Sequence, residues 1–220
     1  MRPLIPQLDE LQGRLLAMSS LVQSAIHDSV LSLVERREEL ARRVLSNEDQ
    51  INRLQIEVDE RAIRLLALQQ PMAKDLRFIT AAIKINTDLE RMGDLAVNIA
   101  ERSIALAGRP PIKTLAEIPQ TADIVQSMVR DSLDAFVRRE SELARSVLLS
   151  DDKVDRLRDS IQLELISVMQ KDPSVVLQGV DLILVARHLE RIADHSTNIA
   201  EDVLFLTKGV DVRHHLESRP

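Results

Sequence analysis

The sequence contains no cysteine among its 220 residues, which excludes a disulfide framework and any metal site built from thiolates. Aromatic residues make up only 1% of the chain, whereas apolar residues make up 45%. A core with so few aromatic residues has to be built from Leu, Ile, Val, Ala and Met, which is typical of helix bundles rather than sheets. Five glycines and eight prolines supply too few turns for a many-stranded fold. The composition therefore predicts an all-α protein.

Long hydrophobic runs and excess positive charge are also missing. The longest strictly aliphatic run is Leu182–Ala186, far short of the roughly 20 residues that cross a bilayer, so we expect no membrane insertion. The chain holds 29 Lys and Arg against 35 Asp and Glu, a net charge of −6, which argues against a nucleic-acid partner. No phosphate-binding or dinucleotide-binding loop and no credible nucleophile–base pair occurs. We therefore assign no catalytic residue.

One acidic string occurs twice. LERMGDLAVNIAE (Leu89–Glu101) returns as LERIADHSTNIAE (Leu189–Glu201), with eight of the 13 aligned positions identical. Upstream, EDQINRL (Glu48–Leu54) matches DDKVDRL (Asp151–Leu157) at an offset of 103 residues. The only stretch with three prolines, GRPPIKTLAEIPQ, separates the two copies. The pattern indicates a duplicated unit.

Helical spacing of apolar residues runs through both copies and predicts three helices in each. The predicted bounds are a first unit over 1–109, a linker over 110–118, a second unit over 119–208 and a polar tail over 209–220 that contains His214 and His215. Within the units we predict helices over Leu8–Leu45 and Gln120–Leu149, with new helices starting at Ser46–Asp49, at Pro71, at Ser150–Asp152 and at Pro173. Helices of roughly 35 residues are about 50 Å long, so two tandem three-helix bundles make an elongated molecule.

The repeated string places its polar residues on one side of a helix. At about 100° per residue, Glu90, Asp94, Asn98 and Glu101 fall within roughly 80° of one another, beside the apolar stripe. Like charges one turn apart destabilise a helix, so a positive partner is expected. One interpretation is a solvated face paired with arginines such as Arg91, Arg102 and Arg191. The other is a bound cation, because carboxylate and amide oxygens without Cys suit hard or borderline metals.

Two histidines, His188 and His195, lie seven residues apart on α-helical spacing, away from the acidic side of the wheel, and we interpret them as polar-face residues. No E-x-x-H pattern occurs, which argues against a ferritin-like di-iron oxidase. A metal-dependent helical-bundle enzyme and a passive helical scaffold remain as alternative functions.

At QPMAKDLR (Gln70–Arg77), at EDQINRL and at the duplicated acidic strings, the sequence resembles the PhoU family. The resemblance covers both units, roughly Leu8 to Leu206. It implies two three-helix bundles in tandem, a cytoplasmic location, a homodimer and a non-enzymatic role. That role is to regulate phosphate uptake and to repress phosphate-starvation signalling, as an adaptor between the phosphate ABC transporter ATPase and a sensor histidine kinase.

The resemblance also implies iron or zinc bound through acid-x-x-x-acid motifs on the bundle surface. Carried over by position, the metal ligands are Glu48, Asn52, Glu90, Asp94, Asp151, Asp155, Glu190 and Asp194. Three positions depart from the family pattern: Asn52 replaces an acid, while Leu95 and Ala193 stand where His and Gly are common. We therefore expect the site of the second unit to be the stronger one.

Overall fold

Each half of the chain folds as three antiparallel helices, as the apolar spacing predicts. The computed structural model describes residues 4–112 and 117–209. The helices are α1 (Leu4–Glu35), α2 (Glu38–Gln69), α3 (Lys74–Ala107), α4 (Glu117–Arg138), α5 (Ser141–Lys171) and α6 (Val176–Lys208), with a short 3₁₀ helix at Pro173–Val175. The first unit comprises α1–α3 and the second unit α4–α6. Among the described residues no helix is both long and apolar enough to cross a membrane.

The predicted breaks between the first two helices of each unit are wrong. Ser46–Asp49 and Ser150–Asp152, where the sequence predicts new helices, lie inside α2 and α5. The chain turns earlier, at Arg36 and Arg139. The capping residues of Ser46–Asp49 misled the prediction, because such residues are also tolerated on the exposed side of a long helix.

Both turns have the same backbone conformation and the same closing hydrogen bond. Arg36 (φ 56°) and Arg139 (φ 55°) adopt the left-handed conformation just after α1 and α4. In each case the next N–H closes the turn, from Arg37 to the carbonyl of Ser32 and from Glu140 to that of Ala135, both at 3.0 Å. This is the hydrogen bond that ends a helix in a Schellman motif, where glycine is the usual left-handed residue. Arginine in its place gives no turn signal in the sequence.

The two units share one hydrophobic core, which is continuous through all six helices. Between the units α3 packs along α6, and α1 contacts α4. The α3–α6 pair is antiparallel, because Lys84 and Arg102 near the two ends of α3 pair with Asp202 and Asp181 at 2.8 and 3.3 Å. The rings of Phe78 and Phe136 stack between the units, with centroids 5.5 Å apart. All-α architecture with two three-helix bundles is confirmed.

Boundaries of the predicted linker and tail fall partly outside the described residues. Residues 113–116 of the linker and residues 210–220 of the tail, which include His214 and His215, are not among the described residues. α4 begins at Glu117, two residues before the predicted start of the second unit. α6 ends at Lys208, and Gly209 follows in the left-handed conformation with its N–H bonded to the carbonyl of Phe205 at 2.8 Å.

Candidate functional site

The acidic residues of the second unit face one another across α5 and α6. Asp151 and Asp155 lie one turn apart on α5, and Glu190 and Asp194 lie one turn apart on α6. We call these four residues the second patch. Burial raises the pKa of Asp151 to about 6, helped by the negative charges of Asp194, Asp155, Asp152 and Glu190. The facing acidic strips that the sequence predicted are therefore brought together in the second unit.

The other members of the second patch respond to the same surroundings. Burial raises the pKa of Glu190, as do the carboxylates of Asp194 and Asp155. Burial and then Asp155 also raise the pKa of Asp194, although nearby His195 and Arg191 oppose the shift. Raised pKa values in a partly buried cluster of carboxylates mean that the cost of burying their charges and their mutual repulsion are only partly compensated. The patch is a place where added positive charge would be favourable.

The first patch, which we define as Glu48, Asn52, Glu90 and Asp94, is less strongly charged. Burial followed by Asp94 raises the pKa of Glu90, and Arg91 opposes that shift. The neutral amide of Asn52 stands where the second patch has the carboxylate of Asp155. The first patch therefore carries three acids where the second carries four.

Gly93 explains how α2 and α3 approach each other beside the first patch. A Cβ atom at Gly93 would lie 3.3 Å from the side chain of Ile51, tighter than ordinary van der Waals contact. The second unit has Ala193 at the position of Gly93 and Val154 at the position of Ile51. At the equivalent positions of the second unit, α6 therefore carries one methyl more and α5 one methyl fewer.

Arginine pairing accounts for part of the acidic charge. Arg91 lies 3.5 Å from Glu90 in the first patch. In the second patch, Arg158 lies 3.3 Å from Asp155. Arg102, a candidate partner of the strip in the sequence, pairs instead with Asp181 at 3.3 Å. Arg191 acts on the second patch through its charge, which opposes the rise in the pKa of Asp194.

The metal assignment can be compared with this geometry. The donors are carboxylate oxygens, which suit a hard or borderline divalent cation. Within residues 4–112 and 117–209, however, no group of three or more Asp, Glu, His or Cys side chains is arranged to hold a metal ion. A cation would have to draw the carboxylates closer together than they stand, so the eight-residue metal set remains a prediction.

The interpretation of His195 as a polar-face residue missed a contact between the units. Its Nδ1 lies 2.8 Å from Oδ1 of Asp88 on α3, and both side chains are largely buried. Asn198 donates to the same oxygen at 3.2 Å. His188 is half-buried, and burial together with Arg191, Arg102 and Arg187 lowers its pKa. No sequence signal reveals these partners, because they depend on how α3 packs on α6.

Comparison with known proteins decides the family. The PhoU domain matches twice, at residues 15–103 and 118–203, and each range lies within one of the two structural units. The chain belongs to the PhoU family. The phosphate-specific transport system accessory protein PhoU homolog of Aquifex aeolicus is 41% identical over 217 residues, covering 98% of each chain. The PhoU homolog of Pseudomonas putida, which has the same description, is 41% identical to this chain over 210 residues, which is 94% of this chain and 82% of the relative.

Solved PhoU structures share the fold over almost the whole length. PhoU from Pseudomonas aeruginosa superposes with a TM-score of 0.91 at 38% identity and covers 94% of this chain and 100% of its own. The phosphate transport system regulatory protein PhoU from Streptococcus pneumoniae gives a TM-score of 0.86 at 28% identity, covering 96% and 99%. The resemblance to the PhoU family that the duplicated strings indicated is confirmed.

Proposed function

We propose that this protein is a regulatory accessory protein of phosphate transport. The observation that carries the proposal is the match of both units to the PhoU domain, together with an accessory-protein relative that aligns over 98% of the chain. In detail, we propose a cytoplasmic, non-enzymatic adaptor between the ATPase of a phosphate ABC transporter and a phosphate-sensing histidine kinase.

Exposed apolar side chains support a function that works through protein contacts. At the α2–α3 turn, Leu68 is 59% exposed, Met72 81% and Leu76 44%. Large apolar side chains clustered on a surface mark interaction sites more often than isolated ones do. The turn also holds Gln70 and Ala73 at positive φ, which fixes how Met72 is presented.

Deleting the gene in its host tests the proposed role. Loss of an adaptor that represses starvation signalling should leave phosphate-regulated genes expressed at high phosphate, and a plasmid copy should restore repression. Copurification with the transporter ATPase and with the kinase tests the two partners separately. Unchanged regulation together with an altered metabolite would favour the metal-dependent enzyme instead. Unchanged regulation and metabolism would favour a passive scaffold.

We further propose that the protein is a homodimer. Sedimentation equilibrium should give a mass near twice the 24.8 kDa of one chain. A single species at the monomer mass, at micromolar protein, would contradict this.

We also propose that the second patch takes up a divalent cation such as iron or zinc. The raised pKa of Asp151, about 6, supports the proposal, because a cation would stabilise a carboxylate whose negative charge is disfavoured first by burial and then by the neighbouring carboxylates. Chelator-free protein should contain iron or zinc, or bind it at micromolar concentration with a rise in melting temperature. Protein that takes up neither metal and whose melting curve does not move would overturn this part.

A further inference from the structure

The duplicated units place one aspartate at equivalent positions of α1 and α4. Asp28-Ser29 returns as Asp131-Ser132, and both serines are fully buried. Each serine hydroxyl donates to the carbonyl three residues earlier, at 2.9 Å. Each aspartate also stands eight residues before the left-handed arginine that ends its helix. The two aspartates can therefore be compared directly.

In the first unit an arginine of the next helix neutralises this aspartate. Arg43 on α2 contacts both carboxylate oxygens of Asp28: its Nε donates to Oδ2 at 2.7 Å, and its second nitrogen lies 2.7 Å from Oδ1. The carboxylate of Asp28 is only 6% exposed. The first unit thus shows a guanidinium seated in two-point geometry against α1, the arrangement in which arginine pairs best with a carboxylate.

The second unit keeps the aspartate but lacks the arginine. Ser146 occupies the position of Arg43, and its hydroxyl donates to the carbonyl of Leu143 at 2.7 Å. The side chain of Asp131 is accordingly 35% exposed. Among the described residues only Oδ1 of Asp131 accepts a hydrogen bond, at 3.3 Å from Nε of the adjacent Arg130. The place filled by the guanidinium in the first unit is open in the second.

A groove of about 500 Å³ lies between α4 and α5 at this place. Asp123 and Asp131 line it on the α4 side, and among the described residues Lys153 is the single cation in its lining. Ser146 and Ser150 contribute hydroxyl oxygens that can accept hydrogen bonds. The lining therefore has excess negative charge and several acceptors, which suits a cation with several N–H donors. A planar guanidinium meets this description better than a compact ammonium group.

We propose that the α4–α5 groove binds a guanidinium group from outside the chain, with Asp131 accepting it as Asp28 accepts Arg43. The group belongs either to a free guanidino compound or to an arginine side chain of a protein segment. In both cases Asp131 recognises the group because a guanidinium can contact both oxygens of its carboxylate. The inference is independent of the phosphate-related role, because it rests on the comparison of the two units.

The first experiment measures binding to the whole protein by NMR at constant ionic strength. Agmatine, which carries one guanidinium and one amine, is compared with 1,5-diaminopentane, which has the same charge without a guanidinium. We expect agmatine to shift the amide signals of Asp131, Ser146 and Ser150 with a millimolar or lower dissociation constant. The diamine should bind at least fivefold more weakly, and D131N should abolish the agmatine shifts.

A second arm distinguishes the two sources of the group. Blocked Gly-Arg-Gly and Gly-Lys-Gly tripeptides are titrated in the same way. An arginine peptide that binds at least tenfold more tightly than agmatine identifies a protein segment as the partner. An arginine peptide that binds more weakly than agmatine identifies a free small molecule.

The first unit supplies matched controls. R43S opens the equivalent place beside Asp28, so agmatine should bind there and raise the lowered melting temperature of that variant. S146R should close the groove of the second unit, raise the melting temperature by about 2 °C or more and abolish agmatine binding there. The rise should vanish in the D131N background. The proposal is overturned if agmatine fails to bind the wild-type groove, whether or not it rescues R43S, or if S146R leaves groove binding intact.

Discussion

The two units have the same helices in the same order, but they balance their charges differently. In the first unit Arg43 neutralises Asp28, and Asn52 removes one acid from the first patch. In the second unit Ser146 leaves Asp131 about one-third exposed, and four carboxylates crowd together in the second patch. Duplication has kept the apolar frame and the turns and has let the surface chemistry diverge. The second unit is the one with negative charge left for a ligand.

If the apolar frame is common to both units, equivalent core substitutions should cost the same. Leu89 and Leu189 hold the same position in the repeated string, and both are 0% exposed. We expect L89A and L189A each to lower the free energy of unfolding by about 3 kcal/mol, measured by urea denaturation. A difference of more than about 1.5 kcal/mol between the two variants would show that the core is packed more tightly around one leucine than around the other.

The amount of bound metal should also differ between the two units. We expect E190Q/D194N to lose at least one equivalent of bound iron or zinc, and E90Q/D94N to lose less because Asn52 already weakens the first patch. At a metal concentration one hundred times the dissociation constant, a bound ion stabilises the fold by about 2.7 kcal/mol. The E190Q/D194N variant should therefore lose the part of its thermal stability that the bound metal supplies. The measurements are elemental analysis and melting curves on protein prepared without chelator. Equal losses in the two double variants would contradict the ranking of the patches.

Much of this architecture can be predicted from the sequence, because it depends on local periodicity. Helical spacing of apolar residues and the repeated strings predict six helices in two units, and the same spacing places Asp151 and Glu190 on facing strips. The features that escape prediction depend on packing over long distances. The sequence does not indicate the pairing of Arg102 with Asp181, nor the contact between His195 and Asp88 across the units. The left-handed Arg36 is missed because its conformation is rare for arginine.

The pH dependence of stability tests the crowding in the second patch. The pKa of Asp151 is raised from 3.8 to about 6, so the folded protein holds this proton more tightly than the unfolded chain does. Its contribution to stability is therefore fully present below pH 3.8 and is lost as the pH rises through 6. In chelator-treated protein we expect D151N to be more stable than wild type at pH 7. The gain should be about 1 kcal/mol, after allowance for solvent screening of a half-buried group.

The matched variant for that comparison is E48Q, at the equivalent position of the first unit. Glu48 lies one turn from the neutral Asn52 on α2, whereas Asp151 lies one turn from the carboxylate of Asp155 on α5. E48Q should therefore change stability at pH 7 by no more than about 0.5 kcal/mol. Urea denaturation of both variants between pH 4 and pH 7 provides the measurement. If D151N follows the same pH curve as wild type, burial and the neighbouring carboxylates do not raise the pKa of Asp151 as the structure indicates.

The smallest expected effect concerns the paired change in packing beside the patches. A Cβ atom at Gly93 would lie 3.3 Å from the side chain of Ile51. The equivalent positions of the second unit carry Ala193 and the smaller Val154. Alanine is favoured over glycine inside a helix by about 1 kcal/mol, but in the first unit the added methyl has to displace Ile51. We therefore expect G93A to stabilise an I51V protein by about 0.5 kcal/mol more than it stabilises wild type. Thermal and urea denaturation of the two single variants and the double variant measure this coupling. Additive effects within about 0.3 kcal/mol would show that the side chain of Ile51 moves aside at no measurable cost. Glycine at this position could then be replaced by alanine without a smaller residue at position 51.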